Sequence, residues 1–137
     1  MTLDACRLLE LPRIDDARGS LTFVEGGRHV PFAIARTYYL YDVPPGTRRG
    51  AHGHKTLEQL VVAVNGAFDI TLDDGANRQQ WRLDSPNHGL YIAPMIWRAM
   101  ENFAPASVCL VLASAPYDEA DYIRDYPSFL AAGRDIN

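Results

Sequence analysis

The sequence predicts an all-β domain, a double-sheet jelly roll, with a short helical segment at its C-terminal end. Ten Gly and nine Pro spread over 137 residues leave little room for long helices. Turn signals recur at a spacing of about 8–12 residues, as in sandwiches and barrels. The stretches between them are rich in β-branched and aromatic residues, which suit strands. Residues 1–137 read as one domain, because that length is the size of one ordinary domain and 47% hydrophobic with 22% charged residues is globular composition.

Cys6–Leu11 reads as a strand stopped by Pro12. Asp15-Asp16-Ala17-Arg18-Gly19 is a turn, and Ser20–Glu25 alternates like the second arm of a hairpin. Ile34–Tyr41 is strand-like and ends at the turn Pro44-Pro45-Gly46. Gly50–Thr56 is polar strand or loop, and Leu57–Val64 is an apolar core strand. Asn65-Gly66 carries a type I′ hairpin signal into Ala67–Leu72, and Asp73-Asp74-Gly75 turns again. Gln79–Leu83, Leu90–Ala93, Ile96–Asn102 and Ser107–Ser114 complete the strands, with Ser85–Gly89 as a loop. Ser107–Ser114 is apolar throughout, as in a strand covered on both faces or at a subunit interface. Tyr117–Leu130 is expected to form a terminal helix or a pair of helical turns, with Asp118 as N-cap and Pro127 as an interruption.

The net charge of −4 argues against nucleic acid as a partner. No apolar run reaches the ~20 residues that span a bilayer. The N-terminus lacks a basic segment followed by an apolar one, so a signal peptide is not expected. Cys6 and Cys109 belong to no CxxC pair and read as reduced thiols of a cytoplasmic protein.

The chemistry concentrates in Gly46–Glu58, GTRRGAHGHKTLE. His52 and His54 are two apart, so on a strand both imidazoles enter one face. With Gly46, Glu58 and Gly66 they resemble the first metal motif of the cupins, a jelly-roll family. The second cupin motif falls on Gly89–Asn102, where the ligand position is occupied by Ala99. A methyl group cannot coordinate a metal, so the two histidines are read as free for acid–base work, with Glu58 in support. Arg18, Arg36, Arg48, Arg49 and Arg98 accompany strand-like text and are candidates for an anionic ligand.

A more specific resemblance rests on Arg18-Gly19, Pro31-Phe32, Arg36-x-Tyr38, Arg49-Gly50-x-His52-x-His54-Lys55, Asn65-Gly66, Asp73-Asp74-Gly75 and the run Tyr117–Tyr126, YDEADYIRDY. Across about residues 5–130 the chain resembles the cupin sugar 3,4-ketoisomerases, also called WxcM-like or FdtA-type proteins. Gly53 departs from the Ala often found there, a change expected to be harmless. The resemblance implies conversion of dTDP-4-keto-6-deoxy-D-glucose to the 3-keto sugar, with no metal and no other cofactor. That product feeds synthesis of a 3-amino-3,6-dideoxyhexose through a pyridoxal-phosphate aminotransferase. It also implies a homodimer, commonly with exchanged N-terminal strands.

On this reading His52 is the main base, His54 a helper or relay, and Tyr38 a hydrogen-bond partner of the sugar oxygens. Arg36, Arg49 and Arg98 are the candidates for the diphosphate. Arg18-Gly19 could reach the sugar, and the pair looks like the members whose product is galactose-configured at C4. The competing readings are a dTDP-sugar 3,5-epimerase, a metal-dependent cupin oxygenase and a non-catalytic nucleotide-sugar-binding cupin.

Overall fold

The computed structural model describes residues 2–136. Its strands are β1 (Arg7–Glu10), β2 (Arg13–Asp16), β3 (Gly19–Thr22), β4 (Arg36–Leu40), β5 (Arg49–His54), β6 (Gln59–Asn65), β7 (Phe68–Asp73), β8 (Arg78–Leu83), β9 (His88–Ile92), β10 (Trp97–Glu101), β11 (Val108–Ala113) and β12 (Tyr122–Ile123). The helix α1 covers Tyr126–Ile136. Two five-stranded sheets run in the orders β1-β9-β6-β11-β4 and β12-β5-β10-β7-β8, and β2 and β3 pair only with each other. Every pairing of named strands is antiparallel. The predicted all-β jelly roll with one C-terminal helix is the observed architecture.

Strand alternation sorts the two faces of each sheet. In the first sheet Val61, Val111 and Tyr38 are cross-strand neighbours, as are Ala63, Cys109 and Leu40. In the second sheet Arg98 lies between Leu72 and His52, and Met100 lies beside Ile70. The Cys109 thiol lies 3.6 Å from the Met100 sulfur, so these two sets meet across the sandwich. Val61, Val111, Ile70, Leu72 and Met100 are all fully buried. Burying each such side chain is worth about 1.5–3 kcal/mol. On the opposite face of the second sheet, Trp97 of β10 packs against Tyr126 and Phe129 of α1.

Two local expectations are corrected. Asn65-Gly66 does not close a hairpin, because β6 and β7 belong to different sheets. The chain crosses the sandwich there. Gly66 adopts φ +70°, and Ser107 ties the corner by accepting from the Ala67 N–H at 3.1 Å and donating to the Ala104 carbonyl at 2.6 Å. Tyr117–Leu130 forms two helical pieces, as one of the two expectations had it, but an unexpected strand lies between them. Asp118 does cap, accepting from the Ala120 N–H at 3.0 Å, but it caps a 3-10 turn over Glu119–Asp121 that leads into β12. Pro127 sits in the first turn of α1, where a missing N–H costs nothing. Ser107–Ser114 yields β11, which is buried at Cys109, Val111, Leu112 and Ala113 and half-buried at Leu110.

Candidate functional site

A cleft of about 460 Å³ opens between the inner faces of the sheets, where β4 faces β5 and β10. Among the described residues its walls carry Arg36, Arg49, Arg98 and Arg124 and no carboxylate. That lining attracts anions in a chain whose net charge is −4. Tyr38, His52 and Tyr122 complete the polar surface.

The two histidines share the inner face of β5, with ring centroids 4.8 Å apart at 90°. Gly53 between them faces the other way. A Cβ there would meet the Phe129 ring at 3.0 Å, so alanine at this position requires the ring to move by a few tenths of an ångström. β5 bends as it enters the site. Arg98 pairs with His52 but Met100 pairs with Arg49, leaving one extra residue in β5, with Gly50 at φ +69°. This is a glycine bulge of the kind that re-aims side chains.

His52 is 9% exposed and His54 3%. Arg98 places its Nε 3.2 Å and its Nη2 3.0 Å from His52 Nε2. A guanidinium only donates, so Nε2 is the lone-pair nitrogen and the His52 ring is neutral. Arg98 Nη2 also donates to the Tyr38 hydroxyl at 3.0 Å. His54 Nδ1 lies 3.1 Å from Asp121 Oδ2. A carboxylate only accepts, so Nδ1 holds the proton, and Nε2 is left buried without a partner. Asp121 is itself fixed, accepting from the Thr56 N–H at 2.8 Å, the Thr56 hydroxyl at 2.7 Å and the Leu57 N–H at 3.3 Å.

The Tyr122 ring covers both imidazoles, 5.0 Å from His52 and 4.3 Å from His54. The Arg124 guanidinium lies 4.2 Å over that ring and is held by Glu119. Burial, then the Arg98 charge and then His54, push His52 down to about 2. Burial and Arg98 push His54 down to about 4, against the opposing pull of Asp121. Both rings are therefore neutral near pH 7.

The structure brings together Tyr38, His52, His54, Arg36, Arg49 and Arg98. It does not bring in the other expected residues. Arg18 and Gly19 sit at the exposed tip of the β2–β3 hairpin, outside the cleft of their own chain. The Arg18 side chain is 90% exposed and paired with Asp16 at 2.6 Å. Glu58 turns away from the imidazoles and accepts from the Tyr91 hydroxyl at 2.6 Å. The next residue, Gln59, pairs with Ala113 in register with the inner set and is the buried one. Across from the histidines stands Arg98, not Ala99, because the true register is one residue earlier. Among the described residues no three His, Cys, Asp or Glu side chains converge as a metal-binding set.

Asp121, Tyr122 and Arg124 were missed as site residues. Their sequence signal was the YDEADYIRDY run, which carries the family resemblance and has helical composition but points to no site residue.

The model of the family described as FdtA, WxcM-like, C-terminal, matches residues 4–134. The chain belongs to this family. It is 45% identical over 123 residues to TDP-4-oxo-6-deoxy-alpha-D-glucose-3,4-oxoisomerase of Aneurinibacillus thermoaerophilus, covering 90% of this chain and 88% of the relative. The WlaRB TDP-quinovose 3,4-ketoisomerase of Campylobacter jejuni is similar at 48% identity and TM-score 0.89, with 92% and 97% of the two chains covered. A histidine-to-asparagine variant of the QdtA 3,4-ketoisomerase of Thermoanaerobacterium thermosaccharolyticum, in complex with TDP-4-keto-6-deoxyglucose, is similar at 38% identity and TM-score 0.92. That match covers 95% of this chain and 94% of the other.

The lowered imidazole values make stability pH-dependent. Unfolded histidines titrate near about 6.5, above both native values. Between those limits the unfolded chain binds more protons, so stability is full above about pH 6.5 and falls as pH drops toward the native values. The unfolding free energy from urea titration is expected to hold above pH 7 and to fall between pH 6.5 and 4.5 by on the order of a few kcal/mol, with the urea midpoint falling in step. In a double variant, His52→Asn with His54→Asn, that drop flattens. A wild-type midpoint unchanged down to pH 4.5 contradicts the buried neutral pair.

Proposed function

We propose that this protein is a sugar-nucleotide 3,4-ketoisomerase acting on dTDP-4-keto-6-deoxy-D-glucose and releasing a dTDP-3-keto-6-deoxyhexose. One observation carries the reading: a neutral His52, backed by the His54 ring, and a tyrosine hydroxyl in a cleft whose charged lining groups among the described residues are all guanidiniums. The curated relative is named for this class of substrate, and the QdtA variant holds TDP-4-keto-6-deoxyglucose.

The 4-ketone acidifies the hydrogen on C3. His52 Nε2 takes that proton, and the C3–H electron pair forms the C3–C4 double bond as the C4 carbonyl becomes an oxyanion. The proton on O3 passes to O4. His52 then returns its proton to C4, and the electrons on O3 close the C3 carbonyl. Hydrogen moves from C3 to C4 and from O3 to O4, and no electron leaves the sugar, so neither oxidant nor redox cofactor is consumed. Tyr38 polarises the ketone, and His54 positions the sugar or relays the oxygen protons. Arg36 and Arg49, more exposed than Arg98, take the diphosphate. The 3-ketone is the form that an aminotransferase converts to a 3-amino-3,6-dideoxyhexose.

The working unit is a homodimer in the cytoplasm with exchanged N-terminal strands. The β2–β3 hairpin supports this. It pairs with no other strand of its chain, and it leaves the cross-strand neighbours Ile14 and Leu21 57% and 56% exposed. It also overhangs an apolar groove on the outer face of the first sheet, lined by Val62, Leu110 and Leu112. Such an arm gives Arg18 and Gly19 a route to a partner's cleft. The Arg18-Gly19 pair favours the galactose configuration at C4. The 48% identical relative is named for quinovose, which is 6-deoxyglucose, and so favours the other. The coupling of the C4 proton in the product separates the two.

Incubation with dTDP-4-keto-6-deoxyglucose in deuterium oxide, followed by proton NMR, tests the reaction. The expected outcome is loss of the C3–H signal and appearance of the 3-keto sugar. His52→Asn is expected to keep TDP affinity while turnover drops by about 10²–10⁴. Retained turnover removes His52 from the role. Unexchanged C3–H with the wild type indicates a binding module, and exchange at C5 with the 4-ketone retained indicates an epimerase. For the dimer, light scattering is expected to give two copies for the wild type and one for a variant carrying Ile14→Asp and Leu21→Asp. A monomeric wild type overturns the assembly.

A further inference from the structure

Arg98 is an anomaly in charge terms. It is 2% exposed, and among the described residues no carboxylate lies within ion-pair distance of it. Its neighbours at hydrogen-bond distance are the His52 ring and the Tyr38 hydroxyl, both neutral groups. Among the described residues Nη1 has no hydrogen-bond partner. A buried charge without compensation is costly, and sites that hold one do so for an anion that arrives or forms there.

We infer that Arg98 acts at the reacting oxygens of the sugar, where it balances the enediolate charge, and not at the diphosphate. This rests on the ketoisomerase reading. In a sugar nucleotide the diphosphate hangs from C1, and C4 is at the far end of the ring. The base must approach C3 to within about 3–3.5 Å. Arg98 touches that base directly, at 3.0 Å. A group seated on the base's own nitrogen is beside C3 and C4, with O3 and O4 in reach, and the diphosphate lies on the other side of the hexose. The remaining arginines of the cleft do not share this place. Arg49 and Arg124 are exposed, and Arg36 is half-buried against the rings of Tyr38 and Tyr117.

The hydrogen bonds then have a sequence. In the free enzyme Arg98 donates to His52 Nε2, which keeps that nitrogen unprotonated and aimed into the cleft. When the sugar binds, O4 takes over N–H groups of Arg98 and the lone pair of Nε2 is released to the C3–H. As the proton leaves C3, negative charge collects on O4, next to a cation that needs no reorganisation. After the proton on O3 has passed to O4, the charge resides on O3, still within the same fork of donors. Arg98 stays protonated throughout, so the proton balance given above is unchanged. Tyr38, bound to the same guanidinium, is held on the oxygen side of the sugar.

Arg98→Met and Arg98→Lys separate the two roles. TDP affinity is measured by calorimetry, and kcat and KM with dTDP-4-keto-6-deoxyglucose. If Arg98 serves the enediolate, Arg98→Met keeps the TDP Kd within about threefold while kcat falls by about 10²–10³, the loss typical of one oxyanion donor. Arg98→Lys recovers about tenfold of that kcat by restoring the charge without the fork. A kcat within threefold of wild type overturns the inference, and so does a TDP Kd weakened tenfold or more in either variant. If Arg98→Met does not fold, Arg98→Lys and Arg98→Gln are read by the same two criteria. A wild type that fails to isomerise the sugar overturns the ketoisomerase reading itself, and that control is run first.

Discussion

The contact on which the site depends is the hydrogen bond from the Arg98 guanidinium to the Nε2 of His52 across the β5–β10 ladder. It sets three properties together. It forces His52 to be neutral, because its lone pair is occupied by a donor. It places a positive charge in the interior without a carboxylate to neutralise it. It also orients the tyrosine hydroxyl, which accepts from the same group. Proton abstraction beside a carbonyl needs a neutral base and a fixed cation near the developing oxyanion, and one side-chain pair provides both.

The rest of the fold serves this contact. The two-residue period of β5 turns both imidazoles inward, and the bulge at Gly50 sets the register that puts Arg98 opposite His52. Tyr122 and Asp121 arrive from a segment beyond the last long strand. That segment is laid along β5 by the pairings of Tyr122 with His54 and Ile123 with Gly53. The Ile123 side of this strand buries against Met95 and Phe129, which fastens it from behind. Asp121 can then reach the His54 ring and, at the same time, the backbone N–H groups of Thr56 and Leu57. The carboxylate is pulled in two directions. Burial works to raise its value, and the bonds from Thr56 and His54 outweigh that and lower it. It stays ionised, and an ionised Asp121 fixes the tautomer of His54.

Much of this was legible in the sequence. Period-two alternation and turn spacing gave the strands, and His52-x-His54 gave the shared face without any other information. What was lost depended on which sheet each strand joins. Asn65-Gly66 carries a hairpin signal in local chemistry, yet the turn serves a crossing between sheets. Glu58 lies at a spacing that suits a ligand, but a strand's parity is fixed by the first residue that pairs. Here that residue is Gln59. The offset between Ala99 and Arg98 is the same kind of error, one residue in register, which moves a side chain to the opposite face. Asp121, Tyr122 and Arg124 were hidden for another reason. Their run has helical composition, and only long-range pairing with β5 draws it out into a strand.

Nitrogen-15 NMR of histidine-labelled protein at pH 6 tests the neutral, oriented imidazole pair most directly. The expected spectrum has two uncharged rings for His52 and His54, each protonated on Nδ1 with a lone pair on Nε2. Imidazolium signals for either residue, or a proton on His52 Nε2, would contradict the arrangement on which the chemistry rests.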